Sequence, residues 1–432
     1  MSIILNIPAI IRILIVFVLV LIAIRKNLSL GNAFFIGAIL IGILFGLTPW
    51  EMLCSVAGSI VMPKTLSLAA VVTLILILSS SMELGGHMWR LLNNFRGLVT
   101  NPRLNLAIFP ALIGLLPMPG GAIFSAPMVK ELGNKSGLRP DQLSFINYWY
   151  RHIWEYWWPL YPGILLSVTL AEIDIWTIVV IMFPFTIAAV SAGSFSIRRI
   201  DLASAAEKKD TNRSVLPFLK DLIPILMVII VGLGAGVVLS HLFPGLYIAK
   251  EVGLIISLVL SVLYVWFRNN MNGNGIRKVI IDPHLLKMFY MVLAILVFKG
   301  MLENSHAVEA ISGEFAEFSV PLILITFALP FIVGGVTGIT LAFVGSTFPI
   351  IIPLVHSMGE SQYLTAYVML ALVSGFVGVL LSPLHLCLML SNQYFNASLR
   401  RVYRHLVLPC MVLFAAGCVY FFVMRWMITR WG

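Results

Sequence analysis

Leu104-Asn-Leu-Ala-Ile-Phe-Pro110-Ala-Leu-Ile-Gly114-Leu-Leu-Pro117-Met118-Pro119-Gly120-Gly121-Ala-Ile-Phe-Ser125-Ala-Pro127-Met-Val129 decides the fold of this chain. Both flanks are apolar, and the middle, Pro117 to Gly121, cannot continue a helix. Proline removes a backbone donor, and paired glycines hold no preferred backbone state. About 13 residues lead from Leu104 to the break, roughly 20 Å of helix against a hydrocarbon core of roughly 30 Å. That is too short to span, so the stretch predicts a re-entrant hairpin, near 104–129, that turns at Pro-Met-Pro-Gly-Gly and leaves by the side it entered. Irregular backbone at membrane depth persists only where protein or a water-filled cavity covers it, which makes the turn a candidate site.

A second stretch, near 320–355, has the same plan, with its break at Gly334-Gly335-Val336-Thr337-Gly338-Ile339-Thr340. Interrupted apolar segments in matching places of two halves point to the binding site of a secondary transporter. The rest of the composition agrees. The 432 residues are 60% hydrophobic and 11% charged, with a mean hydropathy of +1.01, a profile that excludes a soluble domain. The expected class is an all-α polytopic membrane protein with about ten spans. These lie near 8–24, 31–47, 66–84, 141–171, 174–197, 222–243, 248–267, 286–302, 361–398 and 405–424, with interfacial helices near 51–64, 87–100 and 304–318. A first repeat, 1–197, and a second, 222–432, are joined by a polar linker, 198–221. Each has five spans and one hairpin. Five is odd, so the second repeat is inverted relative to the first.

The net charge of +10 is not a nucleic-acid footprint, because the basic residues sit in short loops between apolar runs. With Arg25 and Lys26 placed in the cytoplasm, the loops holding Arg90, Arg96, Arg139, Arg268, Arg277, Arg401 and the linker fall inside. Glu51, Glu172, Asp174, Glu251, Glu303, Glu309, Glu314, Glu317 and Glu360 fall outside. Both termini are then expected outside, in a multi-pass protein of the inner (plasma) membrane, although Arg425 and Arg430 run against the rule at the C-terminus. Cys54, Cys387, Cys410 and Cys418 show no metal spacing and read as small buried hydrophobes.

A long, broken span follows each hairpin: Asn147 to Gly163, interrupted at Pro159–Gly163, and Ser374 to Asn392, interrupted at Ser382-Pro383. Such breaks create inner helix ends, whose N-termini attract anions and whose freed carbonyls attract Na⁺. Arg151, His152 and Glu155 lie deep in the first of these spans, where ionisable groups are costly and face the bundle interior. Arg151 and Glu155 are i, i+4 and are expected to share a helix face, as an anion-binding or structural pair. His152 and Glu155 form an H-x-x-E pair that could also hold metal, but the sequence offers no evident third ligand. His385 stands beside Ser382-Pro383. Glu83 and Lys299 precede the two hairpins. The aromatic cluster Tyr148 to Trp158 reads as an interface belt or a packing surface. At the tips, Ser125, Thr337, Thr340, Ser346 and Thr347 offer hydroxyls beside glycines that permit close approach.

In its paired hairpins, broken spans and central linker, the chain resembles the ion transporter superfamily of divalent-anion/sodium symporters, gluconate permeases and C4-dicarboxylate carriers. Leu116-Pro-Met-Pro-Gly-Gly121, Tyr150-Arg-His-Ile-Trp-Glu-Tyr-Trp-Trp-Pro159 and Ser382-Pro-Leu-His-Leu-Cys387 are similar to the prokaryotic membrane family catalogued as domain of unknown function 401. The resemblance implies a homodimer in which transport domains move against fixed scaffolds, in elevator fashion. The symporters' Ser-Asn-Thr tip motif is replaced here by Pro-Met-Pro-Gly-Gly and Thr-Gly-Ile-Thr. The expected function is cation-coupled (Na⁺ or H⁺) transport of a small organic anion, with no other cofactor. The expected contacts are Pro119, Gly120, Gly121, Ser125, Arg151, His152, Glu155, Thr337, Gly338, Thr340, Ser382 and His385, with Na⁺ near Gly120, Gly121, Thr337 and Gly338. The rival readings are a membrane enzyme using Arg151, His152 and Glu155, and a non-transporting assembly or signalling protein.

Overall fold

A computed structural model describes residues 7–118, 120–198, 214–243, 245, 248–317 and 320–431. Ten α-helices precede the linker among the described residues: α1 (Ala9–Arg25), α2 (Leu30–Leu44), α3 (Pro49–Val61), α4 (Pro63–Leu84), α5 (His87–Phe95), α6 (Pro102–Gly114), α7 (Ala122–Lys135), α8 (Pro140–Arg151), α9 (Pro162–Ala171) and α10 (Ile175–Arg198). Ten follow it: α11 (Leu216–Leu242), α12 (Ala249–Arg268), α13 (Gly273–Ile280), α14 (Pro283–Asn304), α15 (Ala307–Glu317), α16 (Leu322–Thr337), α17 (Thr340–Ser357), α18 (Leu364–Leu381), α19 (Leu386–Phe395) and α20 (Leu399–Trp431). Among the described residues, eight stretches of helix are long and apolar enough to cross a membrane. The molecule is an all-α polytopic membrane protein.

Both expected hairpins are present. The arms α6 and α7, with 13 and 14 residues, are about 20 Å long, too short to cross, whereas α16 and α17, with 16 and 18, are about 24–27 Å long, and α17 is one of the eight stretches long enough to cross. The second break is narrower than expected. Helix α16 continues through Gly334 to Thr337; the chain leaves the helical region at Gly338, at φ 66°, and at the extended Ile339, at φ −133°, and the Gly338 N–H closes the helix end on the Gly334 carbonyl at 2.8 Å. Cys54 is exposed rather than buried.

Packing divides the helices into two groups. In one, α1 packs on α2 and α11 on α12, while α2 packs on α14 and α12 on α4. In the other, α6 packs on α8 and α16 on α18, while α9 meets α17 and α19 meets α7. Each of these contacts therefore has a mate in the other half. Small residues permit the closest approaches. A Cβ on Gly253 of α12 would lie 2.4 Å from the Gly236 nitrogen, and one on Gly334 of α16 would lie 2.3 Å from the Gly375 carbonyl oxygen.

Surface charges pair within two separate sets. Lys64 bonds Glu172, Lys250 bonds Asp174, and Arg425 bonds Glu360. Arg96 bonds Glu131, Arg139 bonds Asp141, and His405 reaches Asp141 at 2.9 Å. The acidic members of the first set, Glu172, Asp174 and Glu360, are among the residues that charge bias expects outside, and Arg96 and Arg139 of the second set are among those it expects inside.

Candidate functional site

The first broken span opens earlier than its prolines indicate. Helix α8 ends at Arg151, residues 152–161 form turns, and α9 starts at Pro162. Arg151 and Glu155 therefore do not share a helix face. Arg151 is 2% exposed, yet no carboxylate among the described residues forms an ion pair with it. Its Nη2 donates to the Met118 carbonyl at 2.6 Å, its Nη1 to Cys387 Sγ at 3.3 Å, and its Nε has no partner. Two glycines of the first hairpin make room for this residue, one for its side chain and one for its carbonyl. A Cβ on Gly121 would stand 2.5 Å from Nη2, and one on Gly114 would stand 2.0 Å from the Arg151 carbonyl oxygen. Gly121 has an ordinary helical φ of −54°, so its value lies in bareness and not in left-handed freedom. Gly120, at φ 73°, is the left-handed residue of the tip and faces Leu390 of α19. Pro119 lies outside the described residues.

None of the four inner helix starts carries a side-chain cap: Gly121 before α7, Tyr161 before α9, Ile339 before α17 and His385 before α19. The starts of α7 and α19 flank Arg151 through Gly121 and Cys387. Those of α9 and α17 meet where Gly163 faces the Thr340 side chain. Helix starts carry unsatisfied N–H groups and partial positive charge. The freed carbonyls, by contrast, have protein donors: Gly114 from Tyr161 at 2.7 Å, Leu115 from Trp158 at 2.9 Å, and Leu380 from Tyr148 at 3.0 Å. The aromatic cluster is thus a packing surface whose indole and phenol groups satisfy the broken backbone, rather than an interface belt.

His152, 1% exposed, and Glu155, 8% exposed, both lie in the turn, and His152 Nε2 is 4.0 Å from Glu155 Oε1. The His152 and His385 rings are 4.8 Å apart, edge to face. Ser382 accepts the Leu384 N–H at 3.2 Å in the second break. The tip hydroxyls are mostly engaged. Thr337 donates to Val333, Ser346 to Ala342 and Thr347 to Phe343, each to the carbonyl one turn back, and Thr340 packs on Gly163. Lys299 pairs with Glu303 at 3.5 Å, and Glu83 is exposed, so neither reaches the breaks.

Sequence reasoning missed a buried amide hub. Asn147 Nδ2 donates to the Ala122 carbonyl at 2.9 Å and to Ser391 Oγ at 3.0 Å, and its Oδ1 accepts from Ser125 at 2.6 Å. It joins α7, α8 and α19. The signal available was an amide within an otherwise aromatic run. Asn147→Leu is expected to leave buried polar groups unpaired, at about 1–3 kcal/mol for each. A thermal melt of the purified variant checks this, and a melting temperature equal to wild type would show that the hub carries no stability.

A family model described as "Protein of unknown function (DUF401)" matches residues 8–424. No curated protein matches the sequence. Among solved structures, the fold is similar to that in the crystal structure of the Alcanivorax borkumensis YdaH transporter, described as having an unusual topology. The TM-score is 0.60 at 14% identity, over 88% of each chain.

Proposed function

The chain belongs to the DUF401 family, and from that premise we propose that it is a secondary active transporter of a small organic anion, driven by Na⁺ or H⁺. One observation carries the reading: Arg151 is a buried cation without a carboxylate partner among the described residues, set between two uncapped helix starts. A fixed positive charge held away from water asks for an anion, and the two helix starts beside it add partial positive charge. The fold's likeness to a protein described as a transporter supports transport over the enzyme and scaffold readings.

The paired contacts of the two halves support an inverted repeat, and the division into two packed groups supports an elevator motion of α6–α10 with α16–α20 against the remainder. The proposal includes a homodimer in the inner membrane, with the linker cytoplasmic and both termini outside. The side-segregated ion pairs support that orientation. Thermal stability of the detergent-purified protein, scanned across small carboxylate and other anions with and without Na⁺, tests the site. The stabilising anion is expected to accumulate in sealed vesicles only under a cation gradient. Turnover of that anion in detergent, with no accumulation in vesicles, would overturn transport in favour of an enzyme.

A further inference from the structure

The two breaks bring together a donor set that neither half holds alone. One donor atom each from His152, His385 and Cys387 lies within 4.8 Å of the other two, and all three residues are buried. His152 belongs to the first break, while His385 and Cys387 open α19. Both imidazoles are set in the same tautomer. His152 Nδ1 faces the Tyr148 carbonyl at 2.6 Å, and His385 Nδ1 faces the Val379 carbonyl at 3.3 Å. A carbonyl oxygen only accepts, so each Nδ1 carries the proton and each Nε2 keeps its lone pair. Metal-binding histidines are held this way, by a backbone carbonyl on the far ring nitrogen. His152 Nε2 is buried and has no hydrogen-bond partner. A buried polar atom left unpaired is costly and calls for an explanation.

We propose that His152, His385 and Cys387 bind a thiophilic divalent cation of the zinc class, with the Glu155 carboxylate as the fourth donor. Two imidazoles and a thiolate are the borderline-soft set that selects zinc over magnesium or calcium. Zinc bond lengths of about 2.0–2.3 Å place tetrahedral ligands about 3.3–3.6 Å apart. From a spacing of at most 4.8 Å, each edge closes by at most about 1.5 Å on binding. Glu155 Oε1, 4.0 Å from His152 Nε2, stands beside the set. Binding converts the thiol to a thiolate and releases its proton to solvent. In this site the H-x-x-E pair visible in the sequence is half of a donor set completed by His385 and by Cys387, which had read as a small hydrophobe.

This inference does not rest on transport, because it is read in detergent with no gradient. The full-length protein carrying Cys54→Ser, Cys410→Ser and Cys418→Ser keeps Cys387 as its sole thiol and is loaded with Co²⁺. A thiolate-to-cobalt charge-transfer band is expected, with one ion per chain, and Zn²⁺ should bleach it. His152→Ala and His385→Ala in the same background should each weaken Co²⁺ binding at least tenfold. Absence of the band in the sole-thiol protein, or a band unchanged by both histidine substitutions, would overturn the site. Neither result depends on whether Cys387→Ser folds, nor on whether the protein moves an anion.

Discussion

Arg151→Met is expected to melt no lower than the wild-type protein and to have lost its uptake. The guanidinium is 2% exposed and meets only a carbonyl and a sulfur, with Nε unpartnered. A buried charge without a counter-ion carries a desolvation cost of several kcal/mol, and replacing buried ionic groups with apolar side chains of similar volume is neutral or stabilising by about 1–4 kcal/mol. Methionine keeps an unbranched stem of similar length and brings no charge to the guanidinium's place beside Gly121. The opposite case is sharp. Were Glu155 the partner that the sequence spacing implies, removing Arg151 would strand a buried carboxylate and cost about 3–5 kcal/mol. The sign of the change in melting temperature therefore decides between a structural pair and a charge held for a ligand. A hydrogen bond to a charged group contributes about 1.5–3 kcal/mol, so losing one such bond to the anion weakens affinity by roughly 10- to 150-fold. Thermal melts and proteoliposome uptake on the same preparation measure both. A variant that melts several degrees lower and still transports would remove Arg151 from the site.

Much of this fold was legible because bilayer physics is strict. Pro117 to Gly121 cannot be helix, and its arms cannot span, so the hairpin followed from the residues alone. What sequence periodicity could not locate was the helix end inside the aromatic run. Tyr148, Trp149 and Tyr150 are compatible with helix, and the expected stop was the first proline, Pro159. The chain leaves the helix at His152, and the side chains of that break are held by the first hairpin: Tyr161 and Trp158 donate to carbonyls at the end of α6, and Trp154 donates to Ala111 at 2.8 Å. Those contacts span 43 to 47 residues of sequence. The same distance hid the grouping at the site. Cys387 lies 236 residues from Arg151, and Ser391 lies 244 from Asn147. No local pattern reports such a pair. Only superposing the two breaks on one centre would have brought them together.

Gly338→Val should cost both stability and uptake, and the pairing of the two losses is the informative part. Gly338 ends α16 in the left-handed region, at φ 66° and ψ 21°. There an ordinary side chain costs about 1–2 kcal/mol, and β-branching adds to it. A Cβ at this position would also stand 2.8 Å from the His385 nitrogen and 3.0 Å from both the His385 Cα and Ser382 Oγ. Two of these three atoms are backbone, which cannot rotate aside, so the second hairpin tip must lift off the break that positions His385 and Cys387. Gly137 separates strain from contact. It has nearly the same φ, 62°, and nothing within 4 Å of its added Cβ. Gly137→Val should therefore show the backbone penalty alone and keep its uptake, while Gly338→Val melts lower still and transports nothing. A glycine kept bare for the ligand predicts a different pattern: lost uptake at a melting temperature matching that of Gly137→Val. Equal melting temperatures in the two variants, with uptake intact in both, would mean that the second tip does not hold the break at all.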